Sequence, residues 1–348
     1  MNARTGRNVT SVNFGFDEDQ QALRDSAEKV LAAECTPSVV RSALEDADAW
    51  KPLWETIVGL GWTGLAVPEE HGGLGLGVVD LVALAEITGR WVLPAPFLST
   101  AGLAGPVLAA AGRGDVLGRV AKGEVVTLAF HGVGLDKQLV PDAVRASTFV
   151  VVLDGAVAVV PAADVVITPA HSPDPTRPLA DVRLGSGGDA VSVAPDVLAR
   201  GLDGACTVLA AELVGVADRI LEISVDHARS RQQFDRPIGS FQAVKHQLAE
   251  LYVAVERART LTYDAAMLLD DPTSTAPART RTASLAKAAA SEAALLAART
   301  GVQVHGAIGI TWEHDVHLFA RRARLGALLL GDHLHHYRRA AELYLAEV

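Results

Sequence analysis

Between residues 244 and 268 the apolar residues Val244, Leu248, Leu251, Val255, Ala258, Leu261, Ala265 and Leu268 recur at steps of three and four. This rhythm keeps one face of an α-helix apolar for about seven turns, and a helix of that length cannot bury its stripe alone. It needs partners of similar length. Leu209, Leu213, Val216, Ile220 and Ile223 supply one in the same rhythm, and an alanine-rich segment from Thr282 to Val304 supplies a second. A last helical region from Asp315 onward, with Gly331 as a candidate break, supplies a third. Four long helices with short connections predict an antiparallel four-helix bundle over residues 201–348.

The segment before the bundle has a different texture. From Glu124 to Val197, short β-branched runs appear at Val125–Phe130, Thr148–Leu153, Val157–Val160, Val165–Thr168 and Val191–Val193, separated by Pro, Gly and Asp. They predict a small, compact antiparallel β domain over 116–200. Residues 1–115 read as a helical domain. Asp17 and Gln20 have capping-box spacing, followed by a stripe of Leu23, Ala27, Val30 and Glu34. A helix at Leu53–Leu60 leads into the Pro- and Gly-punctuated stretch Gly61 to Gly73, and a further helix at Val78–Gly89 is closed by Pro94 and Pro96. The expected fold class is therefore mainly α with a small central β domain.

Charge and composition narrow the function. The formal charge of −10 disfavours nucleic acid, whose phosphates need a basic face. The apolar run Phe149 to Val160 is interrupted by Asp154 and Gly155, so no membrane span is expected. Met1 to Asn13 is polar and lacks a targeting signature. Cys35 and Cys206 match no metal spacing and read as buried small residues, which fits a reducing cytoplasm.

Two motifs carry a resemblance over nearly the whole chain. Arg231-Gln232-Gln233-Phe234-Asp235-Arg236-Pro237-Ile238 with Phe241-Gln242 is similar to R-x-Q-F-G-x-P-I…F-Q, and Gln303-Val304-His305-Gly306-Ala307-Ile308-Gly309 is similar to Q-x-x-G-G-x-G. Both are signatures of the acyl-CoA dehydrogenase family, whose domain order is also helical, β, helical bundle. The resemblance implies that fold, FAD as cofactor, an acyl-CoA substrate and an electron-transfer flavoprotein or similar acceptor. In the family the ADP end of FAD is held by a neighbouring subunit. The matching positions here are Arg231, Phe234, Gln242, Gln303 and Gly306. A guanidinium suits pyrophosphate because it forms two parallel hydrogen bonds and keeps its charge. Each residue also has a plainer reading. Arg231 can complement a helix dipole, Phe234 can be core, and Gly306 with Gly309 can be a helix stop. Asp235 and Ala307 stand where the signatures have glycine.

The reaction also needs a base for the α-proton. The resemblance places the usual glutamate at Leu330 and the alternative, on the first bundle helix, at Ala205. Neither side chain accepts a proton, so no catalytic residue is assigned. Glu212, two turns beyond Ala205 among apolar neighbours, is a substitute if burial raises its proton affinity, and Asp332 is another. Arg321 and Arg322 with Glu313 and Asp315 read as interface ion pairs, and His333, His335 and His336 as a solvated helix end. The family's T-E-P-x-x-G-S-D stretch has no good counterpart in Ala129 to Asp136. This asymmetry resembles the short subunit of heteromeric acyl-CoA dehydrogenases of steroid and sterol side-chain breakdown. It implies a homologous partner supplying base and flavin pocket in a heterotetramer. A self-sufficient homo-oligomer using Glu212 or Asp332, and a cofactor-free structural or regulatory protein, are the alternatives.

Overall fold

The computed structural model describes residues 16–185 and 187–346, so the polar segment Met1 to Asn13 lies outside the described residues. The chain opens with α1 (Glu18–Glu34), α2 (Pro37–Glu45), α3 (Lys51–Gly59) and α4 (Val78–Arg90). The expected capping box starts α1: Asp17 accepts from the Gln20 backbone N–H at 2.8 Å, and the Gln20 side chain accepts from the Asp17 N–H at 3.2 Å. A seven-residue π-helical stretch, Leu98–Ala104, then leads into α5 (Gly105–Ala110) and α6 (Gly114–Ala121), none of which the apolar pattern had marked.

The central region contains β1 (Val126–Ala129), β2 (Gly132–Val133), β3 (Asp136–Pro141), β4 (Thr148–Leu153), β5 (Ala156–Pro161), β6 (Val165–Ala170), β7 (Leu179–Leu184) and β8 (Asp189–Ser192). These form two four-stranded sheets, ordered β1-β4-β5-β8 and β2-β3-β7-β6. The expectation of one compact antiparallel unit is corrected on both counts. There are two sheets, and β1 runs parallel to β4, with Val126 opposite Thr148. The apolar run 149–160 becomes the β4–β5 hairpin, turning at Asp154–Gly155.

The bundle comprises α7 (Pro195–Ser230), a short hairpin of β9 (Gln232–Gln233) and β10 (Arg236–Pro237), then α8 (Gln242–Asp270), α9 (Ala276–His305), α10 (Val316–Leu328) and α11 (His333–Ala346). The fourth bundle position is thus shared by two helices, broken where Leu330 and Gly331 take positive φ (58° and 107°). The N-terminal helices are bound firmly to this bundle. A Cβ on Gly215 would stand 1.9 Å from the Glu86 carbonyl oxygen, and one on Gly89 would stand 2.1 Å from that of Glu212. Only glycine permits α4 and α7 to cross so closely. Asp270, at the end of α8, accepts from the Val78 and Val79 N–H groups at 2.8 and 2.9 Å and so caps α4 from another domain. No helix among the described residues is long and apolar enough to cross a membrane.

Candidate cofactor clamp and the positions of the base

The ends of α7 and α9 lie side by side, because the His227 ring stacks on the His305 ring with centroids 4.3 Å apart. The β9–β10 hairpin reverses the chain, so α8 starts at the same end. Arg231, Phe234, Gln242, Gln303 and Gly306 are therefore collected at one end of the bundle, and all five are exposed. Gln303 also lines a surface groove of about 340 Å³ with Gln247, Glu250, Leu296, Arg299 and Thr300.

Local geometry explains both departures from the signatures. Phe234 and Asp235 are the two central residues of a two-residue hairpin loop, and both have positive φ (53° and 60°). Such a turn favours glycine, and aspartate is among the few residues that tolerate it. Phe234 is not core: it is 84% exposed at the hairpin tip, its ring edge-on to Phe241 at 6.0 Å. Gly306 ends α9 at φ 65°, ψ −142°, a backbone state that essentially only glycine adopts. Ala307 follows without positive φ, so its methyl group costs no strain. Arg231 terminates α7, its N–H donating to the His227 carbonyl at 2.8 Å, while its guanidinium makes no ion pair among the described residues.

Both positions where the resemblance would put a base carry apolar, buried side chains. Ala205 is fully buried in α7, and Leu330 is buried at the α10–α11 break, its carbonyl accepting from His336 Nε2 at 3.2 Å. The substitutes fare no better. Glu212 does not sit among apolar neighbours with a raised proton affinity. Arg177 donates to both of its oxygens (2.9 and 2.6 Å) and Arg322 donates to one (3.2 Å). Burial alone would raise its pKa, but the two guanidiniums outweigh burial and hold it below the usual glutamate value. Asp332 is an N-terminal cap of α11, accepting from the His335 N–H at 2.8 Å, and that backbone bond lowers its pKa.

Two further readings are corrected here. Arg322 is not at an interface: it is fully buried and donates to Asp174 (2.5 Å), Thr176 (2.7 Å) and the Leu93 carbonyl (3.2 Å) as well as to Glu212. Asp315 instead pairs with Arg41. Of the three adjacent histidines, His336 is buried, and burial pushes its pKa down to about 3. Sequence reasoning missed Asp174, Thr176 and Arg177, which sit in a proline-rich loop between β6 and β7 and carry no periodic signal.

Comparison with known proteins completes the picture. Residues 17–124 match the acyl-CoA dehydrogenase N-terminal domain and residues 196–342 the acyl-CoA dehydrogenase C-terminal domain. The acyl-CoA dehydrogenase IpdE2 of Mycobacterium tuberculosis is 38% identical over 329 residues, covering 90% of this chain and 93% of that protein. A variant of the Tcur3481–Tcur3483 steroid ACAD superposes with a TM-score of 0.86 at 27% identity, covering 95% of this chain and 98% of that one. The ChsE4–ChsE5 complex from Mycobacterium tuberculosis gives 0.85 at 26% identity, covering 97% and 99%. With two domain matches and a relative aligned along nine-tenths of its length, this chain belongs to the acyl-CoA dehydrogenase family of oxidoreductases.

Proposed function

We propose that this chain is the non-catalytic subunit of a heteromeric acyl-CoA dehydrogenase acting on a bulky, steroid-type acyl-CoA. It supplies the ADP-side FAD contacts while a homologous partner supplies the base. The observation that carries this reading is the contrast between the two ends of the expected site. At the clamp, Arg231, Phe234, Gln242, Gln303 and Gly306 face outward together, with a guanidinium and an aromatic ring left exposed by their own chain. At the base positions stand Leu330 and Ala205, both buried.

The residues present fit the ADP end of FAD. Arg231 would hold the pyrophosphate with a fork of N–H donors, and Gln242 and Gln303 offer amide donors and acceptors to ribose or adenine. Phe234 offers an apolar face, and Gly306 brings backbone close without a side chain. Held there, FAD would supply the acceptor for the hydride of the acyl β-carbon. The residues at this chain's own base positions do not fit proton removal. Two structural relatives, a steroid ACAD named for two components and a two-component complex, support the heteromeric reading and the substrate class.

The test is to recover a tagged copy of the chain from its native host and measure bound flavin and co-purifying chains. The expected result is a second acyl-CoA dehydrogenase chain and yellow colour only in its company. A yellow, active single chain would overturn the proposal, and so would a partnered chain without flavin.

A further inference from the structure

Where α7 and α9 end, three histidines from three different segments meet. His227 comes from the last turn of α7, His305 from the last residue of α9, and His314 from the connection into α10. The His305 ring lies 4.3 Å from each of the other two, centroid to centroid, and one nitrogen from each residue falls within 4.8 Å of the others. We propose that His227, His305 and His314 form a three-imidazole site for a divalent transition-metal ion of the zinc type.

The hydrogen bonding of His305 points to a ligand. Its Nδ1 lies 2.7 Å from the Gly301 carbonyl, which can only accept, so Nδ1 carries the proton and Nε2 is left with a bare lone pair. Metal-bound histidines characteristically have this arrangement, with the far nitrogen anchored to a carbonyl. His305 is 94% buried, yet Nε2 has no hydrogen-bond partner among the described residues. A buried polar atom left unpaired is costly, and a metal ion would remove that cost. No described group hydrogen-bonds to either ring nitrogen of His227.

Ligation requires the nitrogens to draw closer and the His227 ring to turn out of its stack on His305, so that the two in-plane lone pairs converge. With bonds of about 2.0–2.1 Å, nitrogens sharing one zinc ion stand roughly 3.3 Å apart. His314 would also give up the long 3.2 Å bond that its Nδ1 accepts from the Val316 N–H, whichever nitrogen it uses. Imidazole ligands suit Zn²⁺, Ni²⁺ and Cu²⁺ over Mg²⁺ or Ca²⁺. Three protein ligands leave a fourth position for water. This inference does not depend on FAD binding or on a partner subunit.

The test uses the untagged full-length chain, equilibrated with Zn²⁺, dialysed and assayed for metal, with Co²⁺ as a spectroscopic substitute. The expected result is about one ion per chain and Co²⁺ ligand-field bands that Zn²⁺ abolishes. Loss of even an outer partner of a metal ligand costs about 10–100-fold in affinity. His227→Phe, which preserves the ring stack, and His314→Asn should therefore each weaken binding at least tenfold. His335→Asn, at an exposed position of α11, should not. Circular dichroism confirms that the variants are folded. Failure to retain stoichiometric zinc, or equal retention in the His227→Phe/His314→Asn double variant, would overturn the proposal.

Discussion

Arg177 grips Glu212 with both terminal nitrogens, at 2.9 and 2.6 Å, and joins the β6–β7 loop to the middle of α7 where neither side chain reaches solvent. Arg322 ties the same carboxylate to Asp174, Thr176 and the Leu93 carbonyl, so one buried network holds together the N-terminal helices, the β region and the bundle. Glu212 is thus committed to architecture. A base must surrender and regain a proton at working pH, and a carboxylate between two guanidiniums resists protonation.

Removing one partner should therefore be severe. Glu212→Gln or Arg177→Met is expected to cost about 3–5 kcal/mol of stability, because each strands a buried charge. Arg177→Met/Glu212→Leu should cost less than the sum of its single variants. The pH dependence follows from the depressed pKa of Glu212. Its contribution is present above the unfolded value, near 4.5, and is lost as pH falls through the lower folded value. Urea midpoints of the wild type and Glu212→Gln, measured from pH 7 down to pH 3, should converge in acid. Parallel curves would contradict this assignment.

The network shows what a sequence can and cannot disclose. Val244 to Leu268 and Leu209 to Ile223 announced α8 and α7 because burial against a bundle imposes a period that is visible locally. Asp17 and Gln20 announced a cap for the same local reason. β7 escaped because Val182 is its only β-branched residue, so it forms no β-branched run. The two motifs marked Arg231, Phe234, Gln242, Gln303 and Gly306 in the sequence, but not that all five are exposed at one end of the bundle. Glu212 was misread because its partners lie 35 and 110 residues away, and nothing near it in sequence shows that its neighbourhood is charged.

Lys287 offers a test at the other end of the pH scale. It is fully buried in α9, and its ammonium donates to Ser291 Oγ and to the Ala327 and Gly331 carbonyls at 2.9–3.2 Å, beside Leu330. Burial lowers its pKa from 10.5 to about 8. Between those values the unfolded chain holds a proton that the folded chain has released, so this group makes stability rise with pH there. The gain is on the order of 3 kcal/mol. Lys287→Met should remove that alkaline rise. Denaturation midpoints of both proteins at pH 7.5 and 10 decide the matter.

The isolated chain should not dehydrogenate acyl-CoA. On the proposed reading, dye-linked turnover of the chain alone is expected to stay at background, because the positions assigned to the base hold Leu330 and Ala205 and Glu212 is locked in ion pairs. Turnover that disappears in Asp332→Asn would instead identify Asp332 as a base and return it from its capping role.

Of the residues proposed to hold FAD, Arg231 has the clearest energetic signature. If its fork holds pyrophosphate across the subunit boundary, Arg231→Ala should cost about 2–4 kcal/mol of FAD binding in the complex. That is about 30- to 1,000-fold in affinity. Arg231→Lys should recover only part, since an ammonium lacks the planar fork. Stability of the chain should barely change, because the side chain is exposed and forms no ion pair among the described residues. Unchanged flavin retention after Arg231→Ala would mean that the residue only complements the α7 dipole.

The proposed division of labour also fixes a stoichiometry. On the proposed reading, each site of the closed assembly combines a flavin pocket and base from one chain with an ADP clamp from its neighbour. Here the five residues proposed as the clamp are all exposed, while Leu330 lies buried in a left-handed turn that also holds a bond from His336. Pairing with a complete partner then produces one working site per pair, made of the partner's pocket and this chain's clamp. The reciprocal site would combine this chain's pocket with the partner's clamp, and it should bind no flavin. About half as many FAD molecules as chains are therefore expected, measured as released flavin against total protein in the purified complex. One FAD per chain would require a functional flavin pocket between this chain's β sheets and its bundle.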